Sequence, residues 1–231
     1  MGKLNHFFNL LIINRCVICG NILTEQTQSY AVCSECELKQ IRKNKHSCSV
    51  CGYPLISEAV KCIRCRDIDV NYISNRSLFL YSGDIQELLY QYKFKNRKNL
   101  SFYFAKYLSE IISLYYPESI IVPVPGRKIV KKNKGWEHID LIANILKIKY
   151  KLPVQKILIR KGKKAQKTLS REERAENLQK NVRKKKKIKK LPKNVVLIDD
   201  VFTTGTTINE CAGILKKAGV EKIFSLTIAI D

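Results

Sequence analysis

The sequence predicts an α/β protein, a parallel sheet flanked by helices, preceded by a small cysteine-rich module. Three observations carry that reading. Val195-Val196-Leu197-Ile198 is an apolar, mostly β-branched run of the kind buried on both faces of a parallel sheet. It leads through two acids and a threonine-rich loop into helical periodicity over 208–217. A second apolar run, Ile120-Ile121-Val122, likewise ends in a glycine-containing loop, and eight of the nine cysteines stand in front of both as four CxxC pairs.

A chain of 231 residues has room for one medium domain and one small one, and the pattern divides it at 1–70 and 71–231. A hydrophobic content of 45% is that of a folded protein rather than a disordered one. No apolar run approaches a membrane span. Phe7-Phe8-Asn9-Leu10-Leu11-Ile12-Ile13 is short, polar-interrupted and without a small-residue cleavage site, so it reads as a short amphipathic helix. The expectation is a cytoplasmic protein with no membrane insertion. The net charge of +23 is local: residues 127–193 hold 25 Lys/Arg against 5 Asp/Glu. Such a surface attracts phosphorylated small molecules and nucleic acid alike.

The cysteine pairs are Cys16/Cys19, Cys33/Cys36, Cys48/Cys51 and Cys62/Cys65, with gaps of 13, 11 and 10 residues. Two residues between thiols let both sulfurs reach one tetrahedral ion, so eight ligands make two structural Zn²⁺ sites. Without a secretory signal, a disulfide framework is the weaker reading. The simplest pairing is sequential, Cys16/Cys19 with Cys33/Cys36 and Cys48/Cys51 with Cys62/Cys65, which resembles a double zinc ribbon, and the spacing also leaves a cross-braced pairing open. Gly20 and Gly52 follow second cysteines, where a tight turn towards metal favours glycine. A module this small buries little apolar surface, so metal supplies its folding energy. Cys211 stands alone and reads as a buried residue.

Residues 67–77 read as a polar, irregular boundary. A strand over 78–81 follows, then Ser82-Gly83-Asp84 as turn and cap, and a helix over 85–92. Lys93-Phe94-Lys95-Asn96-Arg97-Lys98 mixes cations with an aromatic, and it reads as core Phe94 with solvated lysines or as a base-stacking patch. A helix over 102–116 stops at Pro117, and the strand over 120–122 comes next. Pro123-Val124-Pro125-Gly126-Arg127-Lys128 is a stiff turn whose Gly126, Arg127 and Lys128 suit an anion. Residues 183–190 read as an exposed basic connector, and 222–230 as a final strand.

In Asp199-Asp200-Val201-Phe202-Thr203-Thr204-Gly205-Thr206-Thr207 the chemistry concentrates. Ligands of open α/β sheets bind outside the carboxyl ends of strands, and a helix N-terminus offers free N–H groups to an anion. Thr203, Thr204, Thr206 and Thr207 add hydroxyls, and Gly205 allows close approach to a phosphate. Asp199 and Asp200 would repel that phosphate unless they face sugar hydroxyls or a divalent cation. The Walker pattern is absent, which removes P-loop nucleotide hydrolysis.

This stretch resembles the sugar-phosphate motif of type I phosphoribosyltransferases. The resemblance implies that Asp199 and Asp200 hold the ribose hydroxyls of phosphoribosyl pyrophosphate (PRPP), directly or through Mg²⁺, while Thr203 to Thr207 wrap its 5′-phosphate. It also implies that Gly126, Arg127 and Lys128 grip the pyrophosphate and that 161–177 closes over the site.

The order of motifs is similar to the ComF family as a whole. Cysteine pairs come first, then Tyr81-Ser82-Gly83 with Lys93-Phe94-Lys95, Val122-Pro123-Val124-Pro125, Gln166-Lys167-Thr168-Leu169-Ser170-Arg171-Glu172-Glu173-Arg174, and the PRPP motif. The resemblance implies a type I phosphoribosyltransferase-like domain behind a double zinc ribbon. It further implies a link to DNA uptake, with single-stranded DNA and competence-machinery proteins as partners. Catalysis on an unidentified acceptor and a non-catalytic DNA-binding role with a regulatory or vestigial PRPP site both remain open. One departure is that Lys134-Gly135-Trp136-Glu137-His138 replaces the family's Arg-Gly-Phe-Asn-Gln box. Trp136 reads either as a stacking platform or as a packed aromatic.

Overall fold

The computed structural model describes residues 14–40, 46–56, 58–126, 136–160, 182–188 and 190–231. The front of the chain holds two short helices, α1 (Glu25–Gln28) and α2 (Ser34–Gln40), then the hairpin strands β1 (His46–Ser47) and β2 (Pro54–Leu55). The body follows as β3 (Ser74–Leu80), α3 (Gly83–Phe94), α4 (Leu100–Tyr115), β4 (Ile120–Pro123) and α5 (His138–Ile148). It continues as β5 (Leu158–Arg160), β6 (Val182–Lys184), β7 (Asn194–Phe202), α6 (Thr206–Lys217) and β8 (Lys222–Ile230).

The main sheet is parallel throughout, in the order β3-β8-β7-β4. Successive side chains of a strand point to opposite faces, and β7 uses this to join two cores. Val196 and Ile198 enter the core under α3, α4 and α5. Val195 and Leu197 enter the one under α6 and the β5–β6 hairpin. All four are 0% exposed, as expected of a central parallel strand.

The cysteine module joins both cores. Cys16, Leu23, Ala31, Val32 and Cys36 pack on the α4 side. Cys48, Val50, Cys51, Cys65 and Tyr72 pack on the α6 side. The first half is pinned by Glu37, whose Oε1 lies 2.5 Å from Lys106 Nζ and accepts from the Tyr107 hydroxyl at 2.8 Å.

Two readings of the sequence change here. Residues 74–77, read as irregular, form the first half of β3. They are polar because this strand is sealed by hydrogen bonds. Asn75 N donates to Ser49 O (2.7 Å) and its side-chain amide to Cys51 O (2.8 Å), while Ser225 Oγ donates to Asn75 Oδ1 (2.6 Å). Gly52 (φ +76°) presses on the same strand, where a Cβ would stand 2.9 Å from Ser77 N. The second change is that Arg183 and Lys184 belong to β6, paired with Ile159 and Leu158, rather than to a connector. The proposed helix over residues 7–13 lies outside the described residues.

Candidate functional site

The carboxyl end of β7 places Asp199 and Asp200 beside the N-terminus of α6. Thr203 and Thr204 are exposed in the intervening loop, and Thr206 and Thr207 are half-buried in the first turn of the helix. Thr204 Oγ1 and Thr206 Oγ1 lie 2.8 Å apart, which ties the two ends of the loop together. Gly205 caps the helix in the left-handed region (φ +71°), where glycine avoids a Cβ clash. A Cβ on Gly205 would lie 2.3 Å from Phe202 Cζ. Any side chain at this position would collide with the Phe202 ring, so the loop's own packing also requires glycine. A small concavity lined by Asp199 and residues 203–207 opens beside the helix N-terminus.

The two carboxylates have different surroundings. Lys93 Nζ lies 2.6 Å from Asp200 Oδ2, and Val201 N donates to Asp200 Oδ1 at 2.6 Å. Asp199 accepts from the Asp200 amide at 2.9 Å. Burial, and then the neighbouring Asp200 charge, hold the Asp199 carboxyl well above the usual carboxylate range, against the opposing pull of Lys93.

Lys93 reaches the site because its helix is packed from behind. Tyr92 is fully buried and donates to His138 O at 2.6 Å, with its ring 5.3 Å from Trp136 and 5.6 Å from His138. Trp136 is therefore a packed aromatic, with Lys98 Nζ 5.5 Å from its ring. Phe94 reverses the core expectation. It is 64% exposed beside Tyr90 (43%), ring centroids 5.4 Å apart, because the helix turns Tyr92 inwards and Tyr90 and Phe94 outwards.

Glu137 stands where the resembled box carries an amide. Its Oε2 accepts from Asp140 N at 2.7 Å, capping α5, and its side chain fills the space that a Cβ on Gly126 would need, 2.5 Å from Oε1. Burial raises its pKa, and the charges of Asp140 and Asp200 add to that. Gly126 closes the loop after β4, next to Lys156, whose Nζ pairs with Asp140 Oδ1 at 2.9 Å. Arg127, Lys128, Lys134, Gly135 and the closing segment 161–177 lie outside the described residues.

The cysteines gather sequentially. Cys16, Cys19, Cys33 and Cys36 form one cluster and Cys48, Cys51, Cys62 and Cys65 another, with the ligand sulfurs of each within 4.8 Å of one another. A tetrahedron with Zn–S bonds of about 2.3 Å requires sulfurs about 3.8 Å apart. Cys19 and Cys33 sulfurs are 3.7 Å apart, and those of Cys51 and Cys62 are 3.9 Å apart. Burial pushes the Cys16 and Cys48 thiols up, but backbone N–H donors outweigh it and hold each down to about 7. The donor set fits two Zn²⁺ ions. Cys211 is fully buried in α6.

Comparison with known proteins agrees with this geometry. The family model described as double zinc ribbon domain matches residues 7–66, and that described as phosphoribosyl transferase domain matches residues 132–230. The chain is 28% identical to competence protein ComFC of Bacillus subtilis over 85% of its own length and 83% of that protein. It is 29% identical to competence protein F of Haemophilus influenzae, over 94% and 96% respectively. DNA utilization protein YhgH of Salmonella typhimurium is 26% identical, over 84% and 88%. Over most of its length the chain is similar to these competence proteins, with a double zinc ribbon domain ahead of a phosphoribosyl transferase domain.

Two residues of the site take roles that the sequence does not display. Lys93 was visible only as one cation among many, because its partner is 107 positions away. Glu137 appeared as a lost amide, and its packing on Gly126 has no sequence signal. No helix among the described residues is long and apolar enough to cross a membrane.

Proposed function

We propose that this protein acts as a ComF family member, binds PRPP with Mg²⁺ at the carboxyl end of β7 and transfers its phosphoribosyl group to an acceptor. The observation that carries the reading is the juxtaposition of Asp199 and Asp200 with the threonine cradle at the start of α6. The cradle suits the 5′-phosphate, since it combines N-terminal amides with hydroxyls. The carboxylates suit the ribose 2′- and 3′-hydroxyls. Mg²⁺, when bound, supplies charge neutralisation beside the diphosphate. The nucleophile adds at C1 as the C1–O bond breaks and pyrophosphate leaves. Gly126, Arg127 and Lys128 are proposed for the leaving group, and cations of 161–177 for closure over it.

The test is PRPP binding and pyrophosphate release by the full chain with Mg²⁺. Binding that needs Mg²⁺ and disappears in Asp199→Ala/Asp200→Ala supports the reading, and unchanged affinity in that variant refutes it. A screen of free bases, nucleotides and single-stranded DNA for pyrophosphate release identifies the acceptor.

The relatives' names, competence protein and DNA utilization protein, support a role linked to competence and DNA. We propose DNA uptake as that role, competence-machinery proteins as partners and the cytoplasm as setting. One observation favours a second reading, in which the protein handles single-stranded DNA and PRPP regulates it. The exposed Tyr90–Phe94 pair flanks Lys93, with Lys95 Nζ 5.6 Å from the Tyr90 ring. Rings flanked by cations offer stacking to bases and charge to phosphates. We assign residues 1–70 to the ribbon domain and 71–231 to the transferase-type domain.

A further inference from the structure

The outer side of the 202–206 loop borders a partly enclosed pocket. Among the described residues, a cavity of about 450 Å³ separates Phe202–Thr206 from the second half of the cysteine module. That volume falls within the range of about 300–1,000 Å³ typical of ligand pockets. Cys51, Cys62 and Cys65 form part of its wall, but one Zn²⁺ ion fills only a small fraction of such a space.

The lining has the composition of a ring-binding site. Tyr53 is partly exposed, with the Arg64 guanidinium 5.6 Å from its ring centroid. Tyr72 is buried, and its hydroxyl already donates to Val50 O at 2.9 Å, so it offers the cavity an apolar surface. At the other wall Asn209 accepts from Asn71 N (2.7 Å) and Nδ2 (3.0 Å) with its carbonyl oxygen, which turns its amide nitrogen into the available donor. Asp231 contributes a carboxylate acceptor, and Thr203 a hydroxyl. Apart from the cysteines, the lining carries one carboxylate, Asp231, and one guanidinium, Arg64, so it has no net preference for an anion or a cation. A purely apolar guest would strip water from Asp231 and Asn209 without replacing it.

We propose that this cavity is a second ligand site, taking a neutral planar heteroaromatic ring of nucleobase type between the cysteine module and the phosphate loop. Its flat face would stack beside Tyr53 and its edge would meet Asn209 and Asp231. The ring comes either free or as a base of a single strand. Residues 202–206 line both this cavity and the phosphate cradle, so one loop separates the two ligands. Resting on the PRPP reading, that shared wall makes the two bindings interdependent, each ligand altering the other's affinity by the same factor.

The experiment uses the full chain carrying two zinc ions, titrated calorimetrically with adenine, hypoxanthine, cytosine, uracil and thymine, and with single-stranded trinucleotides. Saturable binding of at least one ring is expected. Ile68→Trp, which projects bulk from the module side, should weaken it tenfold or more and leave PRPP affinity within twofold. Arg64→Ala, an exposed position, should weaken it as well and serves if the tryptophan variant loses zinc. Trinucleotide binding that competes with a free ring assigns the ring to a strand, and free-ring binding alone assigns it to a small molecule. No saturation by any ring or trinucleotide up to millimolar concentration overturns the proposal, as does binding that both variants leave intact. Ring binding without PRPP binding would remove the transferase reading alone, whereas PRPP binding without ring binding would remove this site alone.

Discussion

Lys93 Nζ lies 2.6 Å from Asp200 Oδ2, joining the end of α3 to the end of the central strand. The pair puts a cation among three carboxylates, since the charges of Asp200 and Glu137 both act to raise the Asp199 pKa and Lys93 acts to lower it. Lys93 is therefore a regulator of the site's charge as well as a tether of α3.

Replacing Lys93 by Met removes that cation and pushes Asp199 further up. If Asp199 must be ionised to hold PRPP with Mg²⁺, affinity at neutral pH should fall in Lys93→Met and recover as pH rises. Lys95→Met, two positions on, serves as the control and should leave the profile in place. Titrating PRPP at several pH values separates the two.

The raised pKa of Asp199 also bears on stability. A carboxyl whose folded pKa exceeds its unfolded value, about 3.9, carries no penalty below that value, where both states are protonated. The penalty grows as pH rises towards the folded pKa and is complete above it. Asp199→Asn should therefore raise the melting temperature of the ligand-free protein at neutral pH, with the gap closing at about pH 4. The same variant should lose PRPP binding. Equal melting temperatures at neutral pH would contradict a raised Asp199 pKa.

Gly205→Ala meets two obstacles, a left-handed backbone and the Phe202 ring. Left-handed geometry costs an L-residue about 1–2 kcal/mol, and overpacking typically costs about 1–3 kcal/mol. Denaturant unfolding should show a loss of that order, together with weaker PRPP binding as the loop shifts.

The two metal sites should differ in consequence. Each cluster should bind one zinc, so elemental analysis should find two per chain. Cys16→Ser/Cys19→Ser should lose one ion and leave PRPP affinity largely intact, because its ribbon packs on the α4 side. Cys48→Ser/Cys51→Ser should lose one ion and weaken PRPP binding, because that half seals β3 through Asn75 and faces the phosphate loop. Equal effects from both pairs would count against this asymmetry.

If a single strand stacks on Tyr90 and Phe94, Phe94→Ala should weaken DNA binding by about 1–3 kcal/mol without altering PRPP affinity. Its salt dependence should keep the same slope, since no phosphate contact is lost. Filter binding across a salt series distinguishes this from loss of a lysine, which lowers the slope.

The sequence by itself determined the local chemistry. Val195 to Ile198 announced a strand buried on both faces, the CxxC spacings announced two four-sulfur sites, and the acid–threonine–glycine order announced a tight strand-to-helix turn. Each of these is written within a few residues, where backbone geometry and ligand reach suffice. Only the tertiary structure decided which cysteine pairs share an ion, that Ser74 to Ser77 is strand, and that Phe94 faces out. The same holds for the contacts of Lys93 with Asp200 and of Glu137 with Gly126. Those facts join positions distant in the chain, and they depend on how two cores and a sheet edge are shared, which local periodicity does not encode.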